Sequence, residues 1–434
     1  MIRDERYNKY MDYVPKINSK AEERYIKKRK YRAFINSLCF YICRIFPIDN
    51  NLVSVCTFEG RGGFGCNPKY IVEALHKIDK NIKIIWLVND MSKEFPDYIQ
   101  KIHNTFWNRA LWLSRSKVWI DNYRKPYGTV KRCGQYYVNT WHANLGFKTI
   151  GLLRGEAFSP MAYLVSKNDS EMIDDVVVDS DYCEIMFKKG LLYDGNYLKV
   201  GQPRCDVLYV NREKYIRDFR NRNNLPINSR IVMFAPTFRE KSHNGKRMVF
   251  SEVWSIDFKR MLENLEKRFG GDWYLCVRVH PQLADTFSTY QDNSLAGKIV
   301  DASKEDDMYQ VLAAMDAFVT DYSSAAFDAS YCHMPVFIYA DDIEKYTYDR
   351  GELLWEMSSI DKRVMRNNPN IEPDIDAVLP FQIATNNDEL ENSIIQFDEE
   401  KYFSEQKKLE EKIGLVFDGR ASEKVAEKIL EVMK

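Results

Sequence analysis

From about residue 50 onward, short apolar runs alternate with longer stretches whose apolar positions recur every three or four residues. The runs at 52–58, 83–88, 117–120, 136–141, 176–179 and 198–200 have the length and continuity of strands covered on both faces. The alternation then restarts, with runs at 230–235, 273–279, 298–300, 317–320 and 336–339 and helical stretches such as 255–269 and 306–315 between them. Strands interleaved with helices predict parallel sheets, and the restart predicts an α/β protein with two doubly wound, Rossmann-like domains facing a central cleft. The boundary falls at 201–228, where Gly201, Pro203 and the polar stretch ending in Pro226 interrupt the pattern. The expected division is 1–49, 50–205, 206–395 and 396–434, with a closing helix over 418–433.

The first 49 residues read differently. Arg24, Lys27, Lys28, Arg29, Lys30 and Arg32 lead into an aromatic-rich apolar stretch over 33–46. It is too short to span a bilayer, which takes about 20 residues. Two readings stay open: a basic, amphipathic helix lying on an anionic membrane surface, or a solvated helix whose apolar half packs on the first domain.

Length and composition narrow the classes. At 434 residues the chain exceeds what one core usually fills, and 45% hydrophobic content supports two well-filled ones. The 63 basic and 63 acidic residues cancel, which argues against a nucleic-acid partner bound through the overall field. Nine cysteines are scattered without a CxxC pair, which fits a reducing cytoplasm and assigns no structural metal. The charged opening MIRDERYNKYMDY lacks the apolar core of a secretory signal, so the protein is expected to stay inside the cell.

In open parallel sheets, ligands bind beyond the carboxyl ends of strands, so chemistry is sought there. Four strand ends stand out. One carries His142, Asn144, Gly146 and Lys148; a second carries Pro236, Thr237 and Arg239; a third carries Arg278 and His280; the fourth carries Thr320, Asp321, Ser323 and Ser324, leading to Asp328. Ser323 and Ser324 fall where a helix begins, and free backbone N–H groups there suit a phosphate. Arg239 and Arg278 suit a diphosphate, although ordinary capping and surface ion pairs are the competing readings. His142 and His280 each end a strand in what would be opposite domains. Imidazole titrates near neutral pH, so one could accept a proton while the other stabilises or protonates a phosphate.

At these segments the chain resembles the CDP-glycerol:poly(glycerophosphate) glycerophosphotransferase family, whose members build teichoic acids and related phosphopolyol polymers. The resemblance rests on 136–142 (YYVNTWH), 200–208 (VGQPRCDVL), 235–239 (APTFR), 278–281 (RVHP) and 320–328 (TDYSSAAFD), with weaker similarity extending it over about 50–395. It implies a GT-B fold with an acceptor-side first domain and a CDP-donor-binding second domain. It implies that His142 and His280 are the catalytic pair. Donor contacts fall on Pro236, Thr237, Arg239, Arg278, Thr320, Asp321, Ser323, Ser324 and Asp328. Asn144, Gly146 and Lys148 fall on the acceptor side. Ala143 stands where the common motif has glycine, and one additional residue separates His142 from Lys148.

The implied reaction is transfer of a polyol phosphate, glycerol phosphate foremost, from a CDP-alcohol donor to a lipid-linked or polymeric hydroxyl acceptor, with release of CMP. His142 is then the general base and His280 the phosphate-stabilising or acid group. The alternative is a sugar-nucleotide-dependent glycosyltransferase on the same scaffold. No cofactor is called for by the residues. No tight carboxylate cluster marks a metal, and a role for Mg²⁺ stays open. The expected location is cytoplasmic, peripheral at the inner face of the cell membrane.

Overall fold

The computed structural model describes residues 14–210, 212–237, 239–243, 246–250, 255–279, 295–351, 353–357, 363–366 and 377–434. Among them, two parallel sheets carry the architecture. The first is built from β1 (Asp49–Cys56), β2 (Lys83–Val88), β3 (Ile99–His103), β4 (Ser116–Asp121), β5 (Tyr136–Asn139), β6 (Asp175–Val178) and β7 (Asn196–Lys199). Their spatial order is β3-β2-β1-β4-β5-β6-β7. The chain therefore moves outward from β1 to β3, returns to the centre at β4 and leaves in the other direction. The reversal between β1 and β4 opens a crevice at the carboxyl ends of both strands.

The second sheet repeats the device. Its strands are β8 (Arg230–Phe234), β11 (Trp273–Val277), β12 (Ile299–Asp301), β13 (Ala317–Thr320), β14 (Val336–Tyr339) and β15 (Gln382–Ala384). They are ordered β12-β11-β8-β13-β14-β15, so the reversal lies between β8 and β13. A separate antiparallel hairpin joins β9 (Arg239–His243) to β10 (Lys246–Phe250). Valine, isoleucine and aromatic residues fill the central strands: Val53, Val55, Trp86, Ile120, Val232, Phe318 and Phe337 have no exposed surface. The expected strands are all present. β3, β15 and the hairpin were not expected, because short edge strands such as Ile99-Gln-Lys-Ile-His carry polar residues where buried ones carry valine.

Buried charges join the lobes. Lys69 Nζ donates to Asp307 Oδ2 at 2.6 Å, and Tyr70 OH donates to the same oxygen at 2.7 Å. Arg204 Nη2 donates to Asp328 Oδ2 at 2.8 Å. The Ala421–Met433 helix crosses back and buries Val425, Ala426 and Ile429 in the core of the first sheet, beside Val53, Ile71 and Leu75. Asp206 starts that helix by accepting from the backbone N–H groups of Ala421 and Ser422.

The Lys20–Cys43 helix, capped by Ser19, lays Ile26, Ala33, Asn36, Cys39, Phe40 and Cys43 against the first lobe. Asn36 Nδ2 donates to the Tyr127 carbonyl at 3.2 Å and Ser37 Oγ to that of Gly128 at 2.8 Å. The opposite side leaves Tyr31, Phe34, Leu38, Tyr41, Ile42 and Ile45 exposed. Among the described residues, no helix is long and apolar enough to cross a membrane.

Gly128 makes this docking possible. Its φ is +81°, and a Cβ there would lie 2.2 Å from the Ala33 carbonyl oxygen. Gly128→Ala is expected to destabilise the protein by about 2 kcal/mol or more and to expose 20–43 to protease before the rest unfolds. Urea titration and limited proteolysis check this; an unchanged cleavage pattern and midpoint would contradict it.

Candidate active site

The crevice of the first sheet is lined by the segments that follow β1, β4 and β5. After β5, Asn139 Oδ1 accepts from the Trp141 backbone N–H at 2.7 Å, and the Thr140 N–H donates to the Asp121 carbonyl at 2.8 Å. This folds Trp141 into the left-handed region, φ +48°, a strained conformation for a bulky residue. Asn67 Nδ2 clamps the turn by donating to the Trp141 carbonyl at 3.2 Å. The result lifts His142 out of the strand direction and into the crevice.

His142 Nδ1 lies 2.8 Å from the Asn122 carbonyl oxygen. A carbonyl only accepts, so Nδ1 carries the proton and Nε2 presents its lone pair. Asn122 is itself fixed by the Phe58 N–H, which donates to Asn122 Oδ1 at 2.9 Å. The imidazole sits among aromatic rings: Trp141 at 4.6 Å, Tyr123 at 5.3 Å and Phe58 edge-on at 5.4 Å between centroids. Burial pulls the His142 pKa down to about 4; the charges of Arg204 and Arg124 push the same way, and the Asn122 bond opposes them. At neutral pH the ring is an uncharged base.

Across the cleft, Ser323 and Ser324 follow β13 and are half-buried. Ser323 Oγ accepts weakly from the Ala325 N–H at 3.3 Å, and Ser324 makes no side-chain cap bond. The Ala325–Ser330 helix that they precede has six residues, so its dipole is small and the hydroxyls and backbone N–H groups matter more than the expected helix field. The 142–148 loop reaches this segment. A Cβ on Gly146 would lie 3.4 Å from Ser324 Cβ. Trp355 Nε1 donates to the Gly146 carbonyl at 3.0 Å, the Leu354 N–H to that of Phe147 at 2.8 Å, and the Phe147 ring packs on Phe327. Gly146 and Phe147 thus bring the loop that begins at His142 against the serine segment of the second lobe.

Several expected site residues have other work. Thr320 has no exposed surface and donates its hydroxyl to the Ala235 carbonyl at 2.7 Å instead of standing open to a phosphate. Asp321 is buried and accepts from the Thr237 N–H and hydroxyl, at 2.8 and 2.7 Å, and from Arg239 Nη1 at 2.9 Å. Arg239 also forks onto Asp342 at 2.7 and 2.8 Å, so its guanidinium is bound by two carboxylates instead of standing open to a diphosphate. Asp328 is buried against Arg204 and Tyr309 and touches neither serine through a bond. Asn144 is buried on Asp179, and Lys148 lies 5.6 Å from the Tyr346 ring centroid. Arg278 Nη1 donates to the carbonyls of Ala302 and Glu305. Pro236 and Thr237 are half-buried at the end of β8. His280 lies outside the described residues.

Arg204, Asn67, Asn122 and Tyr123 shape the site and had not been singled out as site residues. Asn122 and Tyr123 directly follow the strand at which the sheet reverses, and that position was the available signal. Among the described residues, no three His, Cys, Asp or Glu side chains cluster as a metal site.

Residues 38–431 match the profile described as CDP-Glycerol:Poly(glycerophosphate) glycerophosphotransferase. A teichoic acid poly(glycerol phosphate) polymerase of Staphylococcus epidermidis is 28% identical over 70% of this chain, which spans 42% of that relative's length. A teichoic acid glycerol-phosphate transferase of Staphylococcus aureus is 26% identical over 88% of this chain and 94% of its own. A solved structure of a histidine-to-alanine variant of the wall teichoic acid polymerase TagF superposes with a TM-score of 0.73 at 21% identity, covering 96% of this chain and 99% of that one. The likeness establishes the GT-B fold. A histidine-to-asparagine variant of TagF was also solved after a soak with CDPG.

The tautomer and its titration are directly measurable. Nitrogen-15 NMR of the His142 ring is expected to report a neutral, Nδ1-protonated imidazole at pH 7 that protonates near pH 4 instead of the ordinary 6.5. Because the folded value is depressed, the contribution of this group to stability is complete above pH 6.5 and is lost as the pH falls from there through about 4. A ring that titrates at 6.5 in the folded protein contradicts the geometry.

Proposed function

Because this chain belongs to the CDP-Glycerol:Poly(glycerophosphate) glycerophosphotransferase family, we propose that it transfers glycerol phosphate from CDP-glycerol to a hydroxyl acceptor and releases CMP. The observation that carries the reading is the His142 ring, held neutral with Nε2 free in a crevice whose other wall bears Ser323 and Ser324. The teichoic acid relatives and the CDPG soak of TagF support the donor class.

In this mechanism the acceptor oxygen attacks the glycerol-bearing phosphorus and passes its proton to His142 Nε2. The bond from that phosphorus to the bridging diphosphate oxygen breaks, and the oxygen leaves with CMP. Phosphoryl transfer asks chiefly for positioning and charge stabilisation. The hydroxyls and backbone N–H groups at 323–324, with Arg278 at the end of β11, are assigned to the donor diphosphate, and His280 to charge stabilisation or protonation of the leaving group. Residues 50–205 form the acceptor side and 206–395 the donor side. Pro236 and Thr237 line the donor side at the end of β8, while Asp321 and Arg239 hold that loop in place.

The Lys20–Cys43 helix is assigned to the inner face of the membrane. Its exposed Tyr31, Phe34, Leu38, Tyr41 and Ile42 recur at helical spacing, and Lys27, Lys28, Arg29, Lys30 and Arg32 precede or interleave with them. That combination suits an acidic lipid surface, where a lipid-linked acceptor would be met.

Two measurements test these readings. With CDP-glycerol, CDP-ribitol and UDP-sugars offered separately, the chain is expected to release CMP from a CDP-alcohol, and folded His142→Ala is expected to lose about 10²- to 10⁴-fold in turnover. UDP release without CMP release would replace this reading with a glycosyltransferase. In vesicle flotation, binding to acidic lipid is expected to weaken with added salt and to fall about tenfold or more in the Phe34→Ser, Leu38→Ser double variant. Equal recovery with neutral vesicles, or none with either, removes the membrane assignment.

A further inference from the structure

Arg204 is buried to 2% exposure at the lobe junction, and its bonds run in three directions. Its backbone N–H donates to Asn67 Oδ1 at 3.0 Å, and Asn67 also clamps the Trp141 carbonyl. Its Nη1 donates to the His142 carbonyl at 2.5 Å. Its Nη2 donates to Asp328 Oδ2 at 2.8 Å, in the helix that follows Ser323 and Ser324. Tyr309, whose ring lies 4.9 Å from the guanidinium, donates its hydroxyl to the same carboxylate.

The turn that presents His142 is strained at Trp141, and such conformations persist only where the surroundings over-determine them. Asn139 fixes the N–H of Trp141, Asn67 its carbonyl, and Arg204 the carbonyl of the next residue. The first two belong to the same lobe as the turn. Arg204 alone among these three also bonds the opposite lobe. A planar fork can satisfy a carbonyl and a carboxylate in one fixed geometry, which an ammonium cannot reproduce.

We propose that Arg204 is a positioning residue for the transfer reaction: it locks the His142 turn to the Asp328 helix, so the base takes its working orientation only while the donor lobe is docked. The proposal rests on His142 as the base. It makes proton acceptance conditional on lobe closure, so the base is not left poised in an open cleft.

Arg204 also contributes charge at His142. Arg124 adds charge beside the ring, Tyr123 and Phe58 pack on it, and Glu59 and Arg61, which follow Phe58 in the chain, pair with each other at 3.0 Å. Charge and geometry separate by substitution. In Arg204→Gln, kcat for transfer is expected to fall by about 10²-fold, the loss typical of a misplaced catalytic group, with donor KM changed far less. Burial, the largest cause of the depression, remains, so the His142 ring is expected to titrate only somewhat above about 4. In Arg204→Lys the charge remains, so titration stays low while kcat still falls. In Asp328→Ala the acceptor of the lobe tie is lost with Arg204 in place, and kcat falls with the titration again low.

Two results overturn the proposal: full kcat in all three variants, or a donor KM that rises as much as kcat falls, which means mere loosening of the site. If Arg204→Gln does not fold, the other two variants decide by the same criteria. Should the parent release no CMP, the functional reading fails by that result alone, and the NMR titrations still decide whether Arg204 holds the ring.

Discussion

The cleft has useful geometry only while the two lobes keep their register, and buried charge does much of the holding. The Lys69–Asp307 pair and the Arg204–Asp328 pair are both almost fully removed from water. Burying such pairs stabilises little in total, because desolvation offsets the attraction. Leaving one partner unpaired costs about 3–5 kcal/mol, so the pairs specify one docking arrangement strongly even where they add little to overall stability. Apolar packing of Phe147 on Phe327 and Phe381 is tolerant of small slides; the ion pairs are not.

Within that frame the difference between a structural and a reactive histidine comes down to one hydrogen bond. The Asn122 carbonyl chooses the tautomer, and the surrounding rings remove the incentive to protonate. A fold of this type hosts several chemistries, so the scaffold by itself says little about reaction.

Much of this was legible beforehand. Central strands announced themselves through unbroken valine and isoleucine runs, and the restart of the pattern near residue 230 revealed two sheets. His142, Ser323 and Ser324 were sought as candidates because ligands gather beyond strand ends. Thr320, Asp321 and Arg239 were placed by the same rule, and their side chains bond the protein itself: a polar residue at a strand end serves a neighbouring loop as readily as a ligand, and sequence spacing does not distinguish the two. That Arg239 meets Asp342 requires the fold, since 103 positions separate them. The Arg204 bond to the His142 carbonyl was hidden for another reason, because a backbone acceptor leaves no trace in side-chain identity.

The returning helix has a consequence for biosynthesis. Val425, Ala426 and Ile429 complete the core of a sheet whose strands lie within residues 49–199. A ribosome delivers them long after that sheet has emerged, at about 5–20 residues per second. During that interval Ile71 and Leu75 lack their cover, and the nascent first lobe must wait, with an apolar flank bare, for the second to be made. Folding of the halves is therefore not independent in time, even though each has its own sheet, and loss of that late segment would be felt at the opposite end of the molecule.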